Sequence, residues 1–277
     1  MDLSLALEDT HVLITGGTGF IGSSTVSSFL AAGARVTSLD LKPPPEEENP
    51  RFQFLTCDIS SEEDLASAFE NAAKTFGPVA TCIALASLDL SVLDHHESLA
   101  DMNIEQWRKT HRVNVEGTFL TARTWLKSLK NLAGTEEATL LAKNVSLIII
   151  GSESGWFGER GNADYAAGKS AVQWGLLKSL VGDVGRIWPG ARVNAVAPGP
   201  VDTVQFQKEC QQNPDQYYLD AQATTGLKRP VPPQDVAKSI LFLASQNWSG
   251  SITGHVLNVD CGKQGKVMWT KDDLHGN

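Results

Sequence analysis

The sequence has little of what marks a secreted, membrane-spanning or nucleic-acid-binding protein. Its 277 residues include four cysteines, Cys57, Cys82, Cys210 and Cys261, far apart and with no Cys-x-x-Cys pair. A zinc site or disulfide framework is therefore not expected, and a reduced, cytoplasmic setting is. No apolar run approaches the ~20 residues that span a bilayer. The opening MDLSLALEDT has no cationic start running into a long apolar core, so no secretory signal is expected. Basic side chains are outnumbered, 23 Lys and Arg against 32 Asp and Glu, for a net charge of −9. They are also unclustered, whereas a nucleic-acid groove or a face for anionic lipid needs them gathered. Adjacent His95 and His96 point in different directions on a helix or a strand, so segment 88–103 reads as a solvated loop rather than a metal site.

What is present is an alternation. With 42% apolar and 20% charged residues, the composition is that of an ordinary globule. Strand-like runs occur at 11–15 (HVLIT), 35–39 (RVTSL), 52–56 (FQFLT), 79–86 (VATCIALA), 145–150 (VSLIII), 192–197 (RVNAVA) and 255–259 (HVLNV). Several are continuously apolar, as in strands covered on both faces. Helical patterns at 21–32, 62–76, 104–131, 164–182 and 234–244 lie between them. The alternation predicts a doubly wound α/β (Rossmann) fold, a seven-stranded, mainly parallel sheet with helices on both faces. Ser60, three before Glu63, reads as a capping box, and Gly33 and Gly77 sit where C-caps belong. Segment 43–50 (PPPEEENP) reads as an exposed acidic loop. The polar stretch 203–229 is long enough to cover a site. No stretch resembles a domain linker, so 1–277 is expected to be one domain.

After the first strand comes Thr15-Gly16-Gly17-Thr18-Gly19-Phe20-Ile21-Gly22, opening a helix. Glycines let the backbone approach a pyrophosphate, and the helix N-terminus offers it free N–H groups; the strand–turn–helix context raises the motif above a bare glycine cluster. Asp40 ends the second strand 18 residues after Gly22, near the offset at which an acid binds the adenosine ribose. A carboxylate there favours NAD and repels the 2′-phosphate of NADP. Lys42 and Arg51 weigh the other way, as cations able to reach such a phosphate, and a turn-closing Asp40 is the plain alternative.

Tyr165 and Lys169 stand at i, i+4 and share a helix face. A cation one turn from a phenol favours the phenolate and brings a poor base closer to useful acid–base work. Ser152 follows an apolar strand, at the sheet edge where ligands bind in such folds, and its hydroxyl can hydrogen-bond a substrate oxygen; Ser154 is the other candidate.

Together these residues resemble the compact, single-domain branch of the short-chain dehydrogenase/reductase family over nearly the whole chain. The match includes Asp58-Ile59 after the third strand, Asn114 in Val113-Asn114-Val115-Glu116-Gly117, and Ser152 thirteen residues before Tyr165-x-x-x-Lys169. It continues through 194–203 (NAVAPGPVDT), 252–255 (ITGH) and 259–262 (VDCG). The resemblance implies Tyr165 as general acid/base, Ser152 as the positioner of the substrate oxygen, and Lys169 as binder of the nicotinamide ribose that lowers the tyrosine pKa. It also implies that Asn114 helps hold a water chain to that lysine, that Gly16, Thr18, Gly19, Ile21 and Gly22 cradle the pyrophosphate, that Asp58 and Ile59 meet the adenine side, that Ala84 and Ala86 lie along the cofactor, and that Pro198, Val201 and Thr203 line the nicotinamide pocket. Three features depart from the pattern, one of them Cys261, which stands where glycine is usual. The TGxxGxxG spacing, with Phe20 in a glycine position, is that of the longer, epimerase-type branch. Asn-Asn-Ala-Gly after the fourth strand is replaced by Ala84-Leu85-Ala86-Ser87, which removes side-chain bonds that brace the sheet edge.

Trp156, Phe157, Tyr217 and Tyr218 suggest aromatic walls for an apolar, ring-bearing substrate, with core or subunit interface as the alternative for Trp156. The small residues Ala167, Gly168, Ala171 and Gly175 let another helix approach, from a second subunit or equally from within one, and the resemblance implies a homodimer or homotetramer that uses this helix and 104–131. The expectation is an oxidoreductase acting on a secondary alcohol or ketone, with NAD as cofactor (alternatively NADP), a small-molecule substrate, and no nucleic acid, membrane or metal. An NADPH-dependent ketoreductase and a non-redox binding or scaffold protein on the same fold are the alternatives.

Overall fold

Seven strands form one parallel sheet in the order β3-β2-β1-β4-β5-β6-β7. The computed structural model describes residues 2–45, 49–141 and 143–274; part of the expected acidic loop 43–50 lies outside them. The strands are β1 (His11–Thr15), β2 (Arg35–Asp40), β3 (Phe52–Thr56), β4 (Thr81–Ala84), β5 (Ser146–Ile150), β6 (Arg192–Pro198) and β7 (Val256–Val259). β1, β4, β5 and β6 are buried along their whole length, which explains their unbroken apolar runs. Successive side chains still go to opposite faces. Leu13, Cys82, Leu147 and Ile149 pack beneath α2 (Glu62–Phe76), α4 (Thr118–Leu132) and α7 (Leu177–Ile187). Val12, Ile14, Ile83, Ile148 and Ile150 pack beneath α1 (Phe20–Ala31) and α10 (Pro233–Ala244).

β4 is shorter than its apolar run. Beyond Ala84 the N–H groups of Leu85 and Ala86 donate to the Thr15 hydroxyl, at 3.0 and 3.2 Å, and the chain leaves the ladder. Both long helical patterns are interrupted. The first divides into α3 (Ile104–His111), a π-helical turn (Arg112–Gly117) and α4; the second into α6 (Ala163–Ser170), a π-helical turn (Ala171–Leu176) and α7. Such turns insert one residue and recur at functional sites. Between β5 and α6 lies the single-turn helix α5 (Ser154–Phe157). Stretch 203–229 contains α8 (Val204–Gln212), the short α9 (Pro214–Gln216) and a third π turn (Tyr217–Gln222). The chain after β7 lies on it: Gln264 N–H donates to Thr224 O at 3.0 Å, and the Trp269 indole N–H to Thr225 O at 2.9 Å. The two remaining helices are α11 (Gln246–Ser249) and α12 (Lys271–Leu274).

The cap of α2 differs from the expectation by one residue. Ser61, not Ser60, accepts from the N–H of Asp64 at 3.2 Å, because the N–H and hydroxyl of Ser60 are both taken by Asp58 Oδ1 at 2.8 Å. Gly33 and Gly77 follow α1 and α2 at positive φ.

One buried titratable group bears on stability. His11 Nδ1 lies 2.7 Å from Gly77 O and Nε2 3.0 Å from the Thr37 hydroxyl. Burial pushes its pKa from 6.5 down to about 4, so the fold holds it neutral. This contribution is full above pH 6.5 and is lost as pH falls toward 4, an effect of about 3 kcal/mol for a shift of this size. Urea unfolding between pH 7 and pH 4.5 is expected to fall off more steeply for the wild type than for His11→Asn; parallel curves contradict the assignment.

Candidate active site

The glycine loop is shaped by two close approaches. Gly16 has φ +70°, and a Cβ there would lie 2.7 Å from Ala86 Cα; a Cβ on Gly22 would lie 2.0 Å from Gly16 O. The Gly16 N–H donates to Leu39 O at 2.7 Å, which ties the loop to the end of β2. Gly19 caps α1 in extended conformation with no side-chain hydrogen bond, so the first N–H groups of α1 have no capping side chain, as a bound pyrophosphate requires. Ile21 is half-buried against the core on the α1 side.

Asp40 sits against this loop: Oδ2 accepts from Thr18 N–H at 3.1 Å and Oδ1 from Leu41 N–H at 2.7 Å. A carboxylate has about four acceptor sites, so capacity remains for ribose hydroxyls. Lys42 is exposed beside it. Arg51 does not belong here. It precedes β3, at the opposite edge of the sheet, and its guanidinium donates to Asp9 at 2.7 Å and Gly33 O at 2.9 Å. A strand's length therefore separates it from Asp40, and the expectation that it could reach a phosphate is corrected. At the end of β3 Asp58 organises the turn through Ser60, and Ile59 is buried under Gly117.

Ser152, Tyr165 and Lys169 converge beyond the C-terminal ends of β4 and β5, and all three are buried. The Lys169 ammonium donates to Ile150 O at 3.0 Å and to the Ser87 hydroxyl at 3.2 Å, and stands 5.6 Å from the centre of the Tyr165 ring. An ammonium has three protons, so one is left for a ligand. Ser152 Oγ accepts from Ser154 N–H at 3.1 Å, and Ser152 N–H donates to Gln173 Oε1 at 2.9 Å. Ser154, the other serine candidate, is turned away: its hydroxyl donates to Glu159 at 2.8 Å. Burial pushes the Tyr165 phenol above its usual range; the neighbouring Ser152 hydroxyl pulls the other way, and the carboxylates of Asp89, Glu159 and Glu153 add to the rise. Burial also pushes Lys169 down to about 8. The lowered tyrosine pKa expected from the lysine is not found in the chain alone, where desolvation is the largest influence on the phenol and raises its pKa.

Asn114 lies in the first π turn, 1% exposed, and clasps the chain leaving β4: it accepts from Leu88 N–H at 2.8 Å and donates to Leu88 O at 2.9 Å. With Thr15 and Ser87 it supplies bracing in the region where the family's asparagines are missing. Ser87 and Gln173 went unassigned in the sequence. Gln173 was findable, since it lies one turn after Lys169 on the same helical face.

The remaining predicted residues separate into two groups. Pro198 ends β6, Val201 pairs with Val231 in an isolated bridge, and Thr203 caps α8 by accepting from Phe206 N–H at 3.0 Å. Trp156, 44% exposed, meets Trp174 edge-to-face at 4.4 Å, and so packs on the turn that follows α6. Phe157 lies over Gly265, Tyr217 meets Phe206 at 6.3 Å, and the Tyr218 hydroxyl donates to Trp269 O at 3.0 Å. The aromatics are thus shared between the helix that carries Tyr165 and the covering stretch with its C-terminal strap, rather than gathered in one wall. Of the small-residue stripe, Ala167, Ala171 and Gly175 are exposed, while Gly168 packs inward on Val115.

Among the described residues no helix is long and apolar enough to cross a membrane. The family model described as enoyl-(acyl carrier protein) reductase matches residues 18–264. The short-chain dehydrogenase/reductase olcF of Penicillium canescens is 30% identical over 92% of this chain and 96% of its own. The 2,5-dichloro-2,5-cyclohexadiene-1,4-diol dehydrogenase of Sphingobium indicum is 28% identical over 92% of this chain and 97% of its own. The crystal structure of a short chain dehydrogenase from Leptospira borgpetersenii with bound NAD+ superposes with a TM-score of 0.77 at 26% identity, covering 95% of each chain. Fold, glycine loop and sequence relationship agree: the chain belongs to the short-chain dehydrogenase/reductase family of NAD(P)-dependent oxidoreductases.

Proposed function

We propose that this protein is a single-domain NAD-dependent dehydrogenase that oxidises a secondary alcohol on an apolar, ring-bearing small molecule. The observation that carries the reading is the convergence of Ser152, Tyr165 and Lys169 at the sheet edge next to the glycine loop. In this reading Tyr165 Oη takes the alcohol proton and Ser152 Oγ holds the substrate oxygen as its charge changes. Lys169 is the chain's own cation beside the phenol; it favours the ionised tyrosine and keeps one proton for the nicotinamide ribose. The nicotinamide cofactor, when bound, supplies the hydride acceptor. Gly16, Thr18, Gly19, Ile21 and Gly22 hold its pyrophosphate. Asp58, Ile59, Ala84 and Ala86 border its adenine half and path, and Pro198, Val201 and Thr203 border the nicotinamide. Asn114 acts by holding the chain around Leu88 next to Lys169. A cyclic diol is a reasonable substrate class, given what the Sphingobium relative is named for. Phe157 and Tyr217 face the substrate, with Trp156 either joining them or meeting a second subunit. The exposed faces of α4 and of the α6–α7 helix, with Phe119, Ala167 and Ala171, are where a homodimer or homotetramer forms.

Asp40 carries the cofactor preference, and the removal of Arg51 to the far edge strengthens it. A second reading is NADPH-dependent reduction of a ketone, in which the same phenol, kept protonated by burial, donates to the carbonyl oxygen. Lys42 is the remaining cation able to meet the extra phosphate.

Two measurements test these assignments. Tyr165→Phe is expected to lower kcat with a cyclic secondary alcohol by about 10²–10⁴-fold while NAD binding stays within about two-fold; near-normal turnover excludes Tyr165 as the acid/base. In fluorescence titrations the wild type is expected to bind NADH more tightly than NADPH, with Asp40→Ala narrowing the gap by about ten-fold, the loss of one charge-assisted contact. Tighter NADPH binding by the wild type selects the ketoreductase.

A further inference from the structure

The residue after Ser152 makes an ion pair that the reaction does not use. Glu153 Oε1 lies 3.2 Å from Lys263 Nζ, with only 15% and 13% of the side chains exposed. Every other ion pair among the described residues leaves at least 39% of each side chain exposed. The same ammonium donates to Asp220 O at 3.0 Å, inside the third π turn. Backbone pairing sets the register of this strap: Gly226 N–H donates to Gly262 O at 3.2 Å, Leu227 N–H to Cys261 O at 3.0 Å, and Gln264 N–H to Thr224 O at 3.0 Å. Two residues after Lys263, Gly265 lies so close to the Phe157 ring that a Cβ would be 2.5 Å from it.

We propose that Lys263 is a positioning residue: it joins Glu153, and through it the Ser152 loop, to the carbonyl of Asp220, so that the seating of stretch 204–225 is registered at the reacting hydroxyl. The arrangement is costly for a mere fastener. Glu153 Oε2 is buried without a hydrogen-bond partner, and burial pushes that carboxyl up to about 7 against the pull of Lys263. Buried ion pairs are commonly matched or bettered in stability by apolar side chains of similar size. What an apolar pair cannot do is reach two acceptors on two separate segments with one directional donor set. Three segments distant in sequence thereby share one cation: the serine loop, the covering stretch and the C-terminal strap. Glu153 N–H also donates to Pro198 O at 2.9 Å, so the loop is anchored on its other side to the end of β6.

The inference rests on the dehydrogenase reading for its kinetic consequence but not for its structural one. With NAD and a cyclic alcohol that the wild type oxidises, Lys263→Met is expected to lower kcat at least ten-fold and raise the alcohol KM, with NAD affinity within two-fold. Lys263→Arg, which can still reach both acceptors, is expected to recover most of the loss. Amide hydrogen exchange, measured without any substrate, is expected to quicken in Lys263→Met at 152–157 and at 217–225 together. Glu153→Met gives the same pair of readouts from the other side of the contact, should Lys263→Met fold poorly. Exchange that quickens only at 217–225, with kcat and KM within two-fold of wild type, overturns the proposal. If the wild type oxidises no alcohol, the function reading fails, and the exchange experiment still decides whether the two segments are joined through Lys263.

Discussion

The structure turns on a buried ammonium. Lys169 is 3% exposed, and a cation so placed is tolerated only when its protons are met. Ile150 O meets one, and it is available because it ends a parallel strand; Ser87 meets another where the chain departs from β4. Satisfying the lysine therefore brings the ends of two neighbouring strands and α6 to one point. Tyr165, one turn earlier on the same helix face, is carried there with it. The same burial that makes the lysine need partners raises the tyrosine's pKa, so the pair's electrostatics come from one dry pocket rather than from two separate devices.

Around this point side chains from other elements hold the chain leaving β4, where the family more often has asparagines after the fourth strand. Thr15 receives the N–H groups of Leu85 and Ala86, and Asn114 clasps both polar groups of Leu88. The chain leaving β4 is thus held from two sides without the missing asparagines. The first two π turns each bury one polar side chain that holds a neighbouring segment: Asn114 holds the chain at Leu88, and Gln173 holds the N–H of Ser152.

Strands and helices were readable because burial on two faces and amphipathic repeats are written into neighbouring residues. Their ends were less so. The run 79–86 promised a longer β4, but the N–H groups of Leu85 and Ala86 found a threonine hydroxyl instead of a strand. The π turns were invisible because one extra residue hardly disturbs apolar spacing over two turns. In the sequence Ser60 reads as the cap of α2, but Asp58 engages both its N–H and its hydroxyl and leaves Ser61 in that place. Arg51 is instructive in another way. With β2 and β3 parallel, a residue that starts β3 cannot adjoin one that ends β2, and the strand assignment already contained that exclusion.

Ser152, Tyr165, Lys169 and the glycine loop could be named from the chain alone, since their spacing within a strand–turn–helix and along one helix face is local geometry. The alternation of elements pointed to the doubly wound sheet for the same reason, and the set of motifs carried the resemblance to the family. Folding in three dimensions decided what those groups meet: that Lys169 spends two protons on Ile150 and Ser87, that Ser154 turns to Glu159, that Glu153 finds Lys263. Hydrogen bonds and desolvation depend on which atoms lie within about 3 Å. Contacts between distant segments at that range are products of packing, which no local pattern records.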